Sequence, residues 1–250
     1  MLKRFKEIFN SQQFQPTLAG IFLNPFYFLR KGLLKGIKKN NGYIKGIVLD
    51  FGCGSKPYKN LFNFEKYIGL DIGESGHNHY QEEIDLFYDG KKIPFGDKYF
   101  DSIFSSEVLE HIFNLNEIFI ELNRVLKTKG YFLFTIPFAW DEHEIPYDFA
   151  RYTSYGINFI LKKYGFNIIK LEKSTNYVET VFQICAAYIY QYILPKNKYI
   201  NFLLTIFLIA PINLLGLLFS LILPKSYSYY NNIIIVSQKT SDIVKKINAE

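Results

Sequence analysis

The stretch Ile47-Val48-Leu49-Asp50-Phe51-Gly52-Cys53-Gly54-Ser55 decides the fold. An aliphatic run ends on an acid and passes at once into Gly-x-Gly, the pattern of a buried parallel strand feeding a tight turn. At that edge of an α/β sheet, strand ends and helix starts leave backbone donors for a nucleotide-like ligand. Gly52 and Gly54 permit the sharp turn and keep Cβ atoms out of the ligand's way.

Working outward, Pro57 stands where a dinucleotide fingerprint would place its third glycine, so the downstream residues must name the ligand. Lys66-Tyr67-Ile68-Gly69-Leu70-Asp71 reads as a second short strand ending in an acid, placed to hydrogen-bond a ribose diol. Ile84-Asp85-Leu86 reads as a third acidic strand end, and Ile93 to Ser106 leads into Glu107-Val108-Leu109-Glu110-His111. In this order, from about Gly46 to Phe166, the elements resemble the class I S-adenosylmethionine (SAM) methyltransferases. The closest pattern is the type 11 group, with its glycan-modifying and quinone-type members. That resemblance implies SAM as cofactor, with Asp50, Gly52, Cys53 and Gly54 around the methionine portion. It sets Asp71 and Ile72 at the ribose, Asp85 and Leu86 at the adenine, and Ser106 near the cofactor's edge.

The expected fold is therefore α/β: a doubly wound, mostly parallel, Rossmann-like sheet of seven strands. Strands are predicted near 46–50, 66–70, 81–85, 100–105, 130–136, 166–172 and 232–238. Helices are predicted over Leu115–Leu126, where Ile118, Phe119, Leu122 and Val125 fall at helical spacing, and over Ser154–Tyr164. Thr128-Lys129-Gly130 predicts a turn between helix and fifth strand. The family pattern puts the last strand antiparallel, beside the strand before last.

Four regions follow: a basic, aromatic helical leader (1–45), a SAM-binding core (46–176), an apolar helical insertion (177–226), and the last strand with its tail (227–250). The leader is broken at Pro16, Pro25 and Gly42. It holds Lys3, Arg4, Lys6, Arg30, Lys31, Lys35, Lys38, Lys39 and Lys45 against Glu7 alone, so the chain's net charge of +6 originates there. Interleaved Leu18, Ile21, Phe22, Leu23 and Phe26 suit an anionic membrane face better than nucleic acid. In the insertion, Tyr199–Leu223 carries no charge and is long enough to cross a bilayer. A single crossing would strand the last strand away from its sheet, and Pro211 and Asn213 predict two half-helices folded as a hairpin at the interface. Monotopic attachment at the cytoplasmic membrane face is the expectation, with a soluble helical cap as the alternative. Cys53 and Cys185 lack ligand-like spacing, no signal peptide is legible, and a reduced cytoplasmic setting follows.

On the acceptor side, Trp140 to Thr153 follows the fifth strand and contains His143, Pro146, Asp148, Arg151, Tyr152 and Thr153. It is similar to a His-x-x-Pro-x-Asp-x-x-Arg-Tyr-Thr stretch of type 11 members from surface-glycan gene neighbourhoods. His143 is expected as general base, Asp148 or Glu144 as its orienting partner and Arg151 as holder of an anionic group; the alternative is a structural clamp pairing Arg151 with Asp148. Glu107-x-x-Glu110-His111 invites a metal reading, but no obligatory metal is expected. The leading expectation is O-methylation of a lipid-linked glycan or other amphipathic acceptor at the membrane. A quinone or small-lipid methyltransferase and a non-catalytic membrane scaffold are the alternatives, and no nucleic-acid partner is expected.

Overall fold

β1 (Ile47–Phe51) forms the centre of the sheet because its aliphatic side chains are buried on both faces; Val48 and Leu49 are wholly inaccessible. It pairs in parallel with β2 (Lys66–Ile72) on one side and β4 (Phe100–Ser106) on the other. β3 (Leu86–Tyr88) extends the sheet beyond β2, and β5 (Leu126–Pro137) pairs with β4, both in parallel. With β6 (Phe166–Lys173) and β7 (Asn232–Lys239), the computed structural model gives a seven-stranded sheet in the order β3-β2-β1-β4-β5-β7-β6. Residues 12–73 and 83–243 are described. The leader's first residues, with Lys3, Arg4, Lys6 and Glu7, and the start of the predicted third strand lie outside them.

The last strand enters between β5 and β6. Ser174 N–H donates to Asn232 O and Thr240 N–H to Gly165 O, each at 2.9 Å, so numbering falls on one strand as it rises on the other. The β6–β7 pair is antiparallel, as the family pattern implies. The doubly wound order, reversing at β1/β4, puts the carboxyl ends of β1, β2, β4 and β5 along one edge, where such folds bind ligands.

Two differences from the sequence reading concern the core. The third strand, Leu86–Tyr88, begins just after the predicted end at 85 and runs three residues beyond it, because Asp85 does not close it. Its carboxylate instead accepts the Gly69 N–H at 2.6 Å and the Lys56 ammonium at 2.7 Å. The predicted turn at Thr128-Lys129-Gly130 lies inside β5 as a bulge. Phe100 pairs Leu126 while Ser102 already pairs Tyr131, and Lys129 takes φ +67°.

The chain packs as two compact units, one of Lys38–Glu172 with the chain from Ile233 onward, the other of the leader up to Ile37 with Lys173–Asn232. Within the second unit the leader helix Tyr27–Asn40 begins against the insertion. The Gln183 side chain accepts from Leu29 N–H at 3.0 Å and donates to Pro25 O at 2.9 Å, and Asn213 donates to Ile21 O at 2.9 Å. Both amides are fully buried, so each satisfies backbone groups that would otherwise be costly to bury. A Cβ on Gly216 would come within 2.7 Å of Phe28 and 2.8 Å of Phe182, so glycine is what allows this approach. The insertion differs from the predicted hairpin of half-helices. Lys198–Ile222 is a single helix of 25 residues. It absorbs Pro211 by widening to a π-helical turn at Thr205–Ile209, the usual relief for a proline that lacks an N–H. Its partner in the hairpin is the preceding helix, Tyr177–Tyr188, which starts at a capping box between Asn176 and Glu179. Phe182 stacks on Phe219 across the pair at 5.9 Å.

Candidate active site

The turn after β1 is built from positive-φ residues. Gly52 sits at φ +69°, Gly54 at +44° and Lys56 at +50°. The Gly52 and Cys53 amides reach back to Leu70 O of β2, at 2.8 and 3.2 Å. A Cβ on Gly52 would lie 2.4 and 2.5 Å from the two methyls of Val108, so the turn closes only around glycine. At the end of β2, Asp71 is oriented by two backbone amides. Its Oδ2 accepts from Gly54 N–H and its Oδ1 from Ile72 N–H, each at 2.8 Å. A carboxylate has acceptor sites beyond these two, so the same group can take a vicinal diol. The cleft here is lined by Phe51, Gly52, Gly54, Asp71, Ile72, Tyr88, Glu107, Val108, His111, Ile112 and Glu144.

The predicted cofactor residues therefore divide. Gly52, Gly54, Asp71 and Ile72 line the cleft, whereas Asp50, Cys53, Asp85, Leu86 and Ser106 do not. Asp50 lies beneath the turn and accepts the Tyr67 hydroxyl at 2.6 Å; burial raises its pKa to about 7, against the opposing Tyr67 hydrogen bond and Lys56 charge. Cys53 is buried, with its sulfur 2.7 Å from where a Cβ on Gly69 would stand. Burial pushes Asp85 up, but the Lys56 ammonium and Gly69 N–H outweigh it and hold Asp85 below the usual carboxylate range. Asp85 is thus a brace between the turn and β2, and Leu86 is an exposed edge-strand residue. The Ser106 hydroxyl is within 3.0 Å of that of Thr135, which donates to Glu107 at 2.6 Å. Tyr88, two residues beyond Leu86, reaches the cleft in their place; its position at the end of an acid-led strand was the only hint.

The residues present fit SAM. A side-chain-free turn is offered to one part, a backbone-oriented carboxylate to a ribose diol, and Ile72 with Tyr88 to an apolar ring. When bound, SAM supplies an electrophilic methyl group; the chain has to hold it, align an acceptor and manage a proton.

The loop after β5 supplies the rest. Asp148 is the hub. It holds Arg151 through both guanidinium Nη atoms, with Nη2 at 2.7 Å, and accepts the His143 N–H at 3.0 Å. Burial raises its pKa, but Arg151 outweighs this and draws it down to about 2. Arg151 also donates to Ala150 O and Asp141 O, each at 2.9 Å. Its Nη donors are engaged within the loop, which is the clamp pairing, while Nε has no hydrogen-bond partner among the described residues. His143 Nδ1 lies 3.2 Å from both Asp141 O and Asp148 Oδ2, with an Arg151 Nη2 at 3.5 Å. Burial and the neighbouring His111 lower its pKa, which keeps the ring neutral. His143 does not line the cleft. His111 does, and meets the His143 ring edge-on at 4.7 Å. Glu110 lies beside both rings and is wholly inaccessible.

Fold and site together define a class I methyltransferase domain. Residues 49–134 match the model of the type 11 methyltransferase domain. A fatty-acid O-methyltransferase of Mycolicibacterium smegmatis is 31% identical over 99 residues, which cover 35% of this chain and 36% of that protein. Among solved structures, the phosphoethanolamine N-methyltransferase 2 of Haemonchus contortus in complex with SAM superposes with TM-score 0.52 at 19% identity. The match covers 92% of this chain and 59% of that one. A Galdieria sulphuraria structure described as a sarcosine dimethylglycine methyltransferase gives 0.50 at 18% identity, over 86% of each chain. At these identities the structures establish the fold.

Proposed function

We propose that this protein transfers the methyl group of SAM to an oxygen of an amphipathic acceptor, a lipid-linked glycan in the first instance, while attached to the cytoplasmic face of a membrane. The observation that carries the membrane reading is the helix Lys198–Ile222. Its most apolar 18-residue stretch has a mean hydropathy of 2.5, and only 28% of that stretch is buried. Phe207, Leu221 and Ile222 are each at least two-thirds exposed, and Leu203, Leu214, Leu215 and Leu218 about half exposed. A helix this apolar and this uncovered is costly in water and suited to lipid. β6 and β7, which flank the insertion, belong to one sheet, so a single odd crossing of the bilayer is incompatible with the fold. In-plane attachment satisfies both facts. Basic residues of the leader helix, Lys31, Lys35, Lys38 and Lys39, suit an anionic lipid face.

The acceptor side of the reading rests on the Trp140–Thr153 loop, whose Asp148-centred cluster fixes His143 beside His111 at the cleft. A small-lipid acceptor is the second reading, favoured by the fatty-acid O-methyltransferase relative. Flotation with anionic vesicles tests the attachment. Wild type should float and the exposed-face variant Phe207→Asp/Leu221→Asp should remain at the bottom. Equal flotation of the two would remove the helix from the account.

A further inference from the structure

Three electron-pair acceptors converge beside the cleft with no donor among them. His111 Nδ1 lies 2.8 Å from Tyr147 O, a carbonyl that can only accept, so Nδ1 carries a proton and Nε2 is the nitrogen left to meet a ligand. His143 Nδ1 faces two acceptors, Asp141 O and Asp148 Oδ2, each at 3.2 Å, and one donor, Arg151 Nη2, at 3.5 Å; the two closer acceptors favour the proton on Nδ1 and the lone pair on Nε2. Both Nε2 atoms turn toward Glu110 Oε1, at 3.6 Å from His111 and 3.9 Å from His143. The Glu110 side chain is fully buried, and neither of its carboxylate oxygens has a hydrogen-bond partner among the described residues. A buried carboxylate left so costs several kcal/mol unless it takes up a proton or a positive charge compensates it.

We infer that Glu110, His111 and His143 form a binding site for one late first-row divalent cation, of which Zn2+ suits the donor set best. Two imidazole nitrogens and one carboxylate oxygen are the ligands of an open, three-ligand zinc site, whereas Mg2+ and Ca2+ prefer oxygen alone. The spacing is close to that needed. Tetrahedral zinc with bonds of about 2.0–2.1 Å separates its ligand atoms by about 3.3 Å, and the three candidate atoms already lie within 4.8 Å of one another. The outer contacts are in place too. Each imidazole has its Nδ1 on a carbonyl or carboxylate, the arrangement that fixes tautomer and ring orientation in metal sites. The loop closes on the turn through Phe149 N–H, which donates to Glu110 O at 2.9 Å. It departs from the expectation of no obligatory metal. Glu107, the third member of the sequence motif, lines the cleft and accepts from the Thr135 hydroxyl, and is not one of the three converging groups.

The existence of the site rests on this geometry; its role rests on the methyl-transfer reading. His111 lines the cleft, so an ion held here has its open position available to an acceptor hydroxyl, whose proton a Lewis acid makes more acidic.

The test is a titration of chelator-stripped full-length protein, with Zn2+ followed by calorimetry and Co2+ by its visible absorption. One equivalent is expected. Glu110→Gln and His143→Ala should each weaken it more than tenfold, and Asp148→Asn by about 10–100-fold through the supporting hydrogen bond. S-adenosylhomocysteine binding, measured on every sample, shows that the variants are folded. Protein that binds S-adenosylhomocysteine but takes up neither ion overturns the ion site and leaves the methyl-transfer reading standing, as does uptake undiminished in both Glu110→Gln and His143→Ala. Ion uptake lost in those variants, in proteins whose circular dichroism matches wild type but which fail to bind S-adenosylhomocysteine in any form, upholds the site and counts against methyl transfer. With the ion site upheld, methyl transfer unaffected by stripping and reloading would refute its role.

Discussion

Replacing Gly52 by alanine tests whether the cofactor turn is shaped by sterics, as the structure says. Two costs are separable. At φ +69° an alanine bears the left-handed penalty of about 1–2 kcal/mol. The new Cβ would also stand 2.4 and 2.5 Å from the Val108 methyls, an overlap of the kind that costs about 1–3 kcal/mol as the backbone gives. Together they predict a loss of about 2–5 kcal/mol and a displaced turn. Val108→Ala removes both clashing methyls but leaves the Val108 Cβ at 3.0 Å and the φ strain untouched. The double variant should therefore recover about 1–3 kcal/mol of the overlap cost and part of the lost S-adenosylhomocysteine affinity. Urea denaturation of the four proteins of the cycle gives the coupling, and calorimetry gives the affinity. Zero coupling, with the double variant no better than Gly52→Ala in either assay, would refute the claim that Val108 sets the turn.

Other consequences follow from single groups. Asp71→Ala removes the carboxylate that two amides hold toward the cleft, and should weaken SAM binding at least tenfold in calorimetry while leaving far-ultraviolet dichroism unchanged; undiminished affinity would remove it from the ribose. Asp50 has a folded-state pKa raised to about 7 from 3.8, so its contribution favours the fold below about pH 4 and is lost as pH rises through 7. Asp50→Asn, neutral throughout, should gain on wild type between pH 5 and pH 8 by up to about 4 kcal/mol in urea denaturation; a pH-independent difference would contradict the shift. Gln183→Ala strands Leu29 N–H and Pro25 O and should cost about 2–4 kcal/mol, seen as a lower midpoint for the unit that holds them.

How far the sequence was legible depended on how local the cause was. β1, β2, β4 and the helix Leu115–Val125 could be read because each is a run with one period and a clear punctuation. β3 is three residues on an exposed edge with no alternation to fix it, and its leading acid had been enlisted by Lys56 and Gly69, which no spacing reveals. Similarly, the acceptor loop could be picked out, but Arg151 reads as an anion holder until Asp148 is seen to occupy it. Glu110 and His143 are far apart in the chain, so their shared corner exists only once β4 and β5 are paired. Lone polar residues in apolar runs were the underused signal. Asn213 reads as a helix break, yet it is a staple to Ile21, just as Gln183 is to Leu29.

The account's central claim is methyl transfer to a membrane-borne acceptor, and one measurement addresses it most directly. The protein would be incubated with methyl-labelled SAM and vesicles made from extracted membrane lipids, and the organic phase counted before and after mild alkali. The account predicts label in the lipid phase that survives alkali as a methyl ether and disappears with Asp71→Ala. Label lost to alkali as methanol would identify a carboxyl ester and put the small-lipid reading first. No lipid label, from protein shown to bind SAM and to float with those vesicles, would contradict the claim.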